Sequence, residues 1–488
     1  MLAAVLTAVL LQTTAVAPPP TPPPELTPDQ WRAAARQDIE AIHDTLRDNA
    51  PFMVVDRDSA DMRRWLETGR AEALGDLPKV TDGRGYYYVL ARYIGGFRDG
   101  HIGLGLSNGA IEGRMPAWPG FAMTWRDGRY EVGWVQPGLE ASVPPVGAAL
   151  VSCDGQPAEA LAQARLDRLF GNLKLEAERS ALAFQLLRDY HYPVPTPEAC
   201  TFRIAGNERS WKLTWSTPAG ETVDTAAKGL FAPRAQFGVD RWGANAWWIG
   251  APAMAGDEDW KALYAAIDAN LAAIRAADGV VIDLRGNGGG NSDYGDRLAH
   301  QLFGDAVANA DAVVWGDLVF KDGPLSRKWA ADGVAQAKDN PEWLADIKPV
   351  SEKLAAAPLG SRVLIGTTGE RPARTGQPPS PMKGRVVVLV DHACFSACLD
   401  TLDVFTRLPG VKLAGVETGA DTIFMDGMRA PLPSGKATLG FGIKAWVQRQ
   451  RGSNIPYEPD PSLHYTGSLA DEAALKHWLA GKLGVTGD

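Results

Sequence analysis

Strands and helices alternate along the second half of the chain, and this alternation restricts its fold more than any other feature. Residues 279–284 and 386–390 are apolar runs short enough to be buried strands. An amphipathic helix is predicted over residues 257–277, and further helices follow the two strands, over 292–303 and 396–407. Strand, turn and helix repeated in this order predict βαβ units and a largely parallel sheet.

The first half of the chain predicts two smaller units. Thr27, Pro28 and Gln30 form the pattern of a capping box with proline at the first helical position, which begins a helical N-terminal unit over residues 27–114. Short strand-like runs with a helical insert follow over residues 115–218. Their turns resemble those of PDZ-like modules, which hold an extended peptide at a sheet edge. A β unit with no ligand is the alternative.

The N-terminus has the layout of a secretory signal peptide over residues 1–17, with an apolar run of ten residues and then small residues. Proline dominates residues 18–26, which predicts a stiff spacer. Export to the periplasm or the medium is therefore expected, and a frayed N-terminal helix is the alternative. The apolar run is shorter than the ~20 residues that span a bilayer, so stable membrane insertion is not expected.

A net charge of −9 argues against nucleic acid as the partner.

The chain has four cysteines, which is too few for a fold built on disulfides. Export makes disulfides possible, and Cys153 can pair with Cys200, and Cys394 with Cys398. The sequence alone allows three connectivities. It has no CxxC or HExxH spacing, so we expect no metal and no cofactor.

Three places carry residues suited to chemistry. The glycine-rich turn 283–290 follows a buried strand and can present backbone N–H groups to an anion. It is neither a Walker loop nor a dinucleotide fingerprint, because GK[ST] is missing and Asn291 stands where the third glycine belongs. Ser396 lies at a sharp strand-to-helix turn, where a hydroxyl is either an exposed nucleophile or a helix N-cap. His101 follows an Asp-Gly turn and is either a general base or a structural residue.

Taken together, the segments GGFRDGHIGL (95–104), GVVIDLRGNGGG (279–290) and VVVLVDHACFSACLDTLDVF (386–405) resemble the S41 family of serine peptidases. The segment RQRGSNIPYEPD (449–460) is similar to that family's closing segment. The resemblance implies that Ser396 is the nucleophile. It also implies an oxyanion hole made of Gly288 or Gly289 together with Ala397.

The resemblance also indicates which base serves the serine. One branch of the family uses a lysine 25 positions after the serine, where this chain has Asp421, so a lysine base is not expected. The tricorn-like branch uses the histidine of the DGH turn, which is His101 here. That branch orients its histidine with a glutamate in the closing segment, where this chain has residues 453–454, Ser-Asn. Glu417, Asp421 and Glu458 are the candidates to replace it.

The expected fold is therefore mixed α/β, with an S41-type catalytic core over residues 235–488. The expected function is an exported serine endopeptidase acting on peptides or proteins. Residues 305–380, which are richer in charge, proline and glycine, are expected to cross over the active face. One alternative is a catalytically silent protein of this fold that binds an apolar ligand or a peptide. An α/β-hydrolase esterase fits less well, because GxSxG is absent and the histidine precedes the serine. The sequence does not indicate the oligomeric state.

Overall fold

The structure is a computed structural model that describes residues 26–107, 116–313, 316–366 and 378–486, without the side chain of Glu342. The predicted signal peptide and all but the last residue of the predicted spacer lie outside the described residues. Within them, no helix is long and apolar enough to cross a membrane.

The described part of the chain is mixed α/β, as predicted. Its α-helices are α1 Pro28–Asn49, α2 Ala60–Gly75, α3 Gly83–Gly95, α4 Ala158–Arg165, α5 Glu176–Leu182, α6 Gly220–Leu230, α7 Asp257–Ala276, α8 Asp293–Phe303, α9 Asp305–Ala308, α10 Pro324–Gln336, α11 Pro341–Ala356, α12 Ala397–Phe405 and α13 Glu472–Leu483. Its strands are β1 Gly103–Leu106, β2 Phe121–Arg126, β3 Arg129–Val135, β4 Ala149–Cys153, β5 Gln156–Pro157, β6 Ala199–Ile204, β7 Asn207–Lys212, β8 Gly238–Trp242, β9 Ala246–Gly250, β10 Gly279–Asp283, β11 Leu318–Lys321, β12 Arg362–Ile365, β13 Arg385–Val390, β14 Val411–Gly415, β15 Phe424–Pro431 and β16 Ala437–Trp446.

A parallel sheet forms the centre of the C-terminal half. Its strand order is β14-β13-β10-β9-β8, and all neighbours are parallel except β8, which runs antiparallel to β9. All five residues of β10 are buried, since helices α7, α8 and α12 cover one face and α13 covers the other. The predicted parallel-rich sheet is therefore confirmed, and the carboxyl ends of β10 and β13 meet at one edge.

A second, antiparallel sheet is built from strands far apart in the sequence. Strand β15 pairs along most of β16, while β1 and β11 pair with the two ends of β16, and β12 continues beyond β11. Helices α1, α2 and α3 pack on this sheet and share its apolar core with α10 and α11. Residues 318–365 therefore contribute two strands and two helices to this layer, whereas the sequence analysis expected them to cross over the active face.

Helix α1 begins where the capping pattern predicts. The Thr27 hydroxyl accepts a hydrogen bond from the Gln30 N–H at 3.3 Å, and the Gln30 side chain accepts one from the Thr27 N–H at 2.8 Å. Ile39, Ile42 and Leu46 lie on its inner face and are fully buried. The helix is thus fixed both at its start and along its length, which provides a firm support for the antiparallel sheet.

The third sheet belongs to a separate β module. Its order is β2-β3-β4-β6-β7, with β5 paired to β4, and helices α4 and α5 flank it. Cys153 and Cys200 lie opposite each other on β4 and β6 and form a disulfide. The structure also joins Cys394 to Cys398, at the start of α12. That the module has a PDZ-like function stays a prediction.

The two disulfides close loops of very different length, with sequence separations of 47 and 4. Because a longer loop restricts the unfolded chain more, we expect the double substitution Cys153→Ala, Cys200→Ala to lower the free energy of unfolding by roughly 4 kcal/mol. Cys394→Ala, Cys398→Ala is the matched control and should cost roughly 2 kcal/mol. Urea denaturation monitored by tryptophan fluorescence measures both values. Equal losses would contradict this account of the module's stability.

Candidate active site

Two loops at the carboxyl ends of β10 and β13 form the base of the site. Because the strands are parallel neighbours, the loops that follow them meet at one edge of the sheet. The Gly286 N–H lies 3.0 and 3.1 Å from the two oxygens of Asp391, and the Phe395 N–H donates to the Asn287 carbonyl at 3.3 Å. These bonds connect the glycine-rich turn to the turn that carries Ser396.

Ser396 has an unusual backbone conformation, with φ +56° and ψ −123°. A non-glycine residue at positive φ costs about 1–3 kcal/mol and persists only where its surroundings enforce it. The Cys394–Cys398 disulfide, buried at both ends, brackets this residue. Ser396 stands at the N-cap position of α12, but its hydroxyl makes no capping hydrogen bond. The geometry therefore does not support the N-cap alternative, and the hydroxyl is free for another partner.

The glycine-rich turn packs closely against Ser396. A Cβ added at Gly289, where φ is +98°, would lie 2.9 Å from the Ala397 nitrogen and from Ser396 Cβ, so only glycine fits. The Gly289 N–H donates to the Asn287 side chain at 3.0 Å. Within the described residues, the N–H groups of Gly288 and Ala397 have no acceptor. Of the three N–H groups predicted for the oxyanion hole, those of Gly288 and Ala397 are therefore available to a substrate oxygen.

His101 reaches Ser396 from the turn between α3 and β1. Its Nε2 lies 3.2 Å from Ser396 Oγ, which is hydrogen-bond distance. The Phe395 ring packs on the imidazole with 4.9 Å between ring centres, and it also covers Gly100, where any side chain would collide with it. The structure thus brings together the histidine and the serine that the sequence analysis singled out.

The histidine turn is held from both sides. Arg98, at φ +56°, donates two hydrogen bonds to the Asp167 carboxylate at 2.5 and 2.6 Å, which connects the turn to the β module. The Asn454 amide donates to the Arg98 carbonyl at 2.9 Å, which connects the turn to the closing segment. Two separate parts of the chain therefore determine where the imidazole lies.

Among the described residues, the predicted orienting carboxylates make no hydrogen bond to the His101 imidazole. Glu417 accepts the Ala177 N–H at 3.0 Å, and burial raises its pKa to about 7, with help from the neighbouring Glu458 carboxyl. Asp421 accepts from Arg449 at 3.1 Å and also from Arg451.

The carboxylate nearest the free imidazole nitrogen belongs to Asp99, whose Oδ1 is 3.7 Å from His101 Nδ1. Asp99 was not among the carboxylates predicted from the sequence. Its position two residues before the histidine, in the same turn, was the available signal.

A cavity of about 550 Å³ opens beside the site, between the β module and the core. Gly286, Ala393 and Glu417 line it on the core side, and Trp125 and Phe231 line it on the module side. It is large enough for several residues of an extended peptide or for one small ligand. No group of side chains suited to a metal ion occurs among the described residues.

Comparison with known proteins agrees with the motifs. The sequence profile of peptidase family S41 matches residues 249–460. The chain is similar in structure to mature CPAF, with a TM-score of 0.58 and 15% identity, over 93% of this chain and 96% of that one. The structure of mature CPAF complexed with lactacystin gives a TM-score of 0.57 and 15% identity, over 93% of this chain and 97% of that one. For tricorn protease the TM-score is 0.37 at 13% identity, over 92% of this chain and 35% of that one. No curated sequence matches the chain.

The matched residues and the fold define a serine peptidase. Residues 249–460 match peptidase family S41, and the chain shares the fold of mature CPAF.

The Arg98–Asp167 pair provides a test of how the module positions the histidine turn. We expect Asp167→Asn to lower kcat/KM by on the order of tenfold to a hundredfold, because a displacement of about 1 Å at a reacting group has this effect. Glu159→Gln is the matched control, since it weakens a similar two-point pair with Arg179 on the same module, away from the turn. Peptide hydrolysis measures both variants. Equal rates for the two would contradict the positioning role.

Proposed function

We propose that the chain is an exported serine endopeptidase that cleaves peptide bonds through an acyl-enzyme on Ser396, with His101 as the general base. The observation that carries this proposal is the 3.2 Å distance between His101 Nε2 and Ser396 Oγ, at a serine whose strained backbone turns the hydroxyl away from capping. Export is supported by the layout of residues 1–17 and by the two disulfides, which persist in oxidising compartments.

The proposed reaction is acyl transfer in two stages. His101 Nε2 takes the proton of Ser396 Oγ as the oxygen attacks the peptide carbonyl carbon. The negative charge that develops on the carbonyl oxygen is met by the N–H groups of Gly288 and Ala397, and one such donor is worth roughly 3–4 kcal/mol. The imidazolium then gives its proton to the departing amine. Water, activated by the same histidine, hydrolyses the ester and releases Ser396.

The cavity next to the loops that carry the site supports a peptide or protein substrate. It runs from Ala393, three residues before the serine, to the edge of strand β2 in the module. A chain lying in this cavity would contact both the core and the module. In the proposed binding mode, the peptide bond to be cleaved lies at Ser396. The substrate residues next to that bond lie between the core and the β module.

One observation favours a second candidate, a silent binding protein of the same fold. The cavity has aromatic and aliphatic walls, among them Trp125, Phe231 and Leu469, which suit an apolar ligand. In that case Ser396 would not react. A fluorophosphonate probe separates the candidates, because it forms a covalent bond only with an activated serine.

Ser396→Ala is the direct test of the peptidase. We expect it to abolish both probe labelling and peptide hydrolysis, whereas Ser142→Ala, which changes an exposed serine whose hydroxyl donates to the Leu139 carbonyl, should leave both intact. His101→Ala should slow hydrolysis by at least a thousandfold, since the histidine and serine act as a unit. Mass spectrometry of the labelled peptide and hydrolysis of an unstructured protein are the measurements. Hydrolysis that survives Ser396→Ala would refute the nucleophile.

A further inference from the structure

Two buried polar atoms in the histidine turn have no partner in the part of the chain that the structure describes. They are His101 Nδ1 and Asp99 Oδ2. The Asp99 side chain is 0% exposed and that of His101 is 13% exposed. A buried polar atom left unpaired costs about 1–3 kcal/mol, and more when it is charged. The two atoms belong to residues whose side chains are only 3.7 Å apart, measured from Nδ1 to Asp99 Oδ1.

The turn holds the Asp99 carboxylate beside the ring. Asp99 Oδ1 accepts the backbone N–H of His101 at 2.9 Å, and the Asp99 carbonyl accepts the Ile102 N–H at 3.0 Å. One carboxylate oxygen is therefore fixed by the turn itself. A sub-ångström movement of the carboxylate or the ring brings Nδ1 within hydrogen-bond distance.

A second turn in this chain shows that the same spacing allows such a contact. Asp189 Oδ1 accepts the His191 backbone N–H at 2.7 Å, and Asp189 Oδ2 lies 3.1 Å from His191 Nδ1. This Asp-x-His turn is in the β module, and its side chains are more exposed. The spacing of Asp99 and His101 is therefore sterically compatible with a direct bond.

The closing segment does not provide an alternative partner. Ser453, at the position where the resemblance predicts a glutamate, donates its hydroxyl to Asp58 at 2.8 Å. The Asn454 amide donates to the Arg98 carbonyl, and its backbone N–H donates to the Asp421 carbonyl. Asn454 therefore holds the backbone of the turn, and neither residue forms a hydrogen bond with the imidazole in the described part of the chain.

We propose that Asp99 is the positioning residue of His101 in the reaction proposed above. Its carboxylate accepts the Nδ1–H of the neutral ring, which leaves Nε2 unprotonated and directed at Ser396 Oγ. When the ring takes the serine proton, the same carboxylate stabilises the imidazolium. This inference rests on the proposed function.

The charges around His101 determine its response to pH. Burial lowers the pKa of His101, but the carboxylates outweigh burial, Asp99 foremost, and the pKa lies above its ordinary value of 6.5. The other charged groups facing the ring come from the loop after β14 and from β15, and each is paired: Asp421 with Arg449 and Arg451, and Asp426 with Lys444. Only the neutral ring acts as a base, so activity rises as pH rises through this pKa. Removing the Asp99 charge moves the rise to lower pH.

Asp99→Asn tests the proposal. The asparagine oxygen can still accept the His101 backbone N–H, but the side chain has lost the negative charge and the second acceptor oxygen, so it no longer favours the Nδ1–H tautomer or stabilises the imidazolium. We expect kcat to fall by on the order of 10²–10⁴-fold, KM to stay within about twofold, and the acid limb of the pH profile to move to lower pH. Asp189→Asn, the same substitution in the other Asp-x-His turn, should leave all three values unchanged. A kcat within twofold of the wild type, or an unmoved acid limb, overturns the proposal.

Two further measurements keep the test decisive. Asp99→Ser retains an oxygen acceptor for the turn without the charge, and it should lose activity as Asp99→Asn does. In the inactive Ser396→Ala protein with Asp99 intact, nitrogen NMR of His101 should find the neutral ring protonated at Nδ1, and the opposite tautomer overturns the proposal. Hydrolysis that survives Ser396→Ala refutes the proposed function itself. Full loss in Ser396→Ala with an active Asp99→Asn refutes only the role of Asp99.

Discussion

The contact between His101 and Ser396 joins two stretches of chain that are 295 residues apart, and the rest of the site depends on it. Strand β1, which follows the histidine turn, pairs with β16, and Phe395 packs over both the imidazole and Gly100. The parallel sheet brings the serine turn and the glycine-rich turn to one edge. The antiparallel sheet supplies the histidine, so neither sheet alone contains both side chains.

A buried ionic network ties the helix behind the serine to the closing segment. Arg449 donates to Asp400 on α12 at 2.6 Å, and Arg451 pairs with Asp403 on the same helix at 3.2 Å. Asp421 accepts from both arginines. Removing one member would leave a buried charge uncompensated, which typically costs 3–5 kcal/mol. The arginines of the closing segment therefore fix the strained serine turn and, through Asn454, the histidine turn as well.

The parts of the fold that are determined by residues close together in the sequence could be predicted. Strand β10, the glycine-rich turn and the helix after Ser396 follow from local periodicity and turn chemistry. The antiparallel sheet could not be predicted, because β1 and β16 are separated by more than half of the chain and neither strand carries a pairing signal. Asp99 was missed for a related reason. Which carboxylate faces an imidazole is decided by side-chain packing in three dimensions, and the candidates taken from the sequence were Glu417, Asp421 and Glu458.

The most direct measurement of the central claim is a crystal structure of the protein after reaction with a fluorophosphonate. The account predicts a bond from Ser396 Oγ to phosphorus, a phosphonyl oxygen within about 3 Å of the Ala397 and Gly288 nitrogens, and His101 Nε2 within hydrogen-bond reach of the adduct. An unmodified Ser396, or an adduct with His101 turned away from it, would contradict the account.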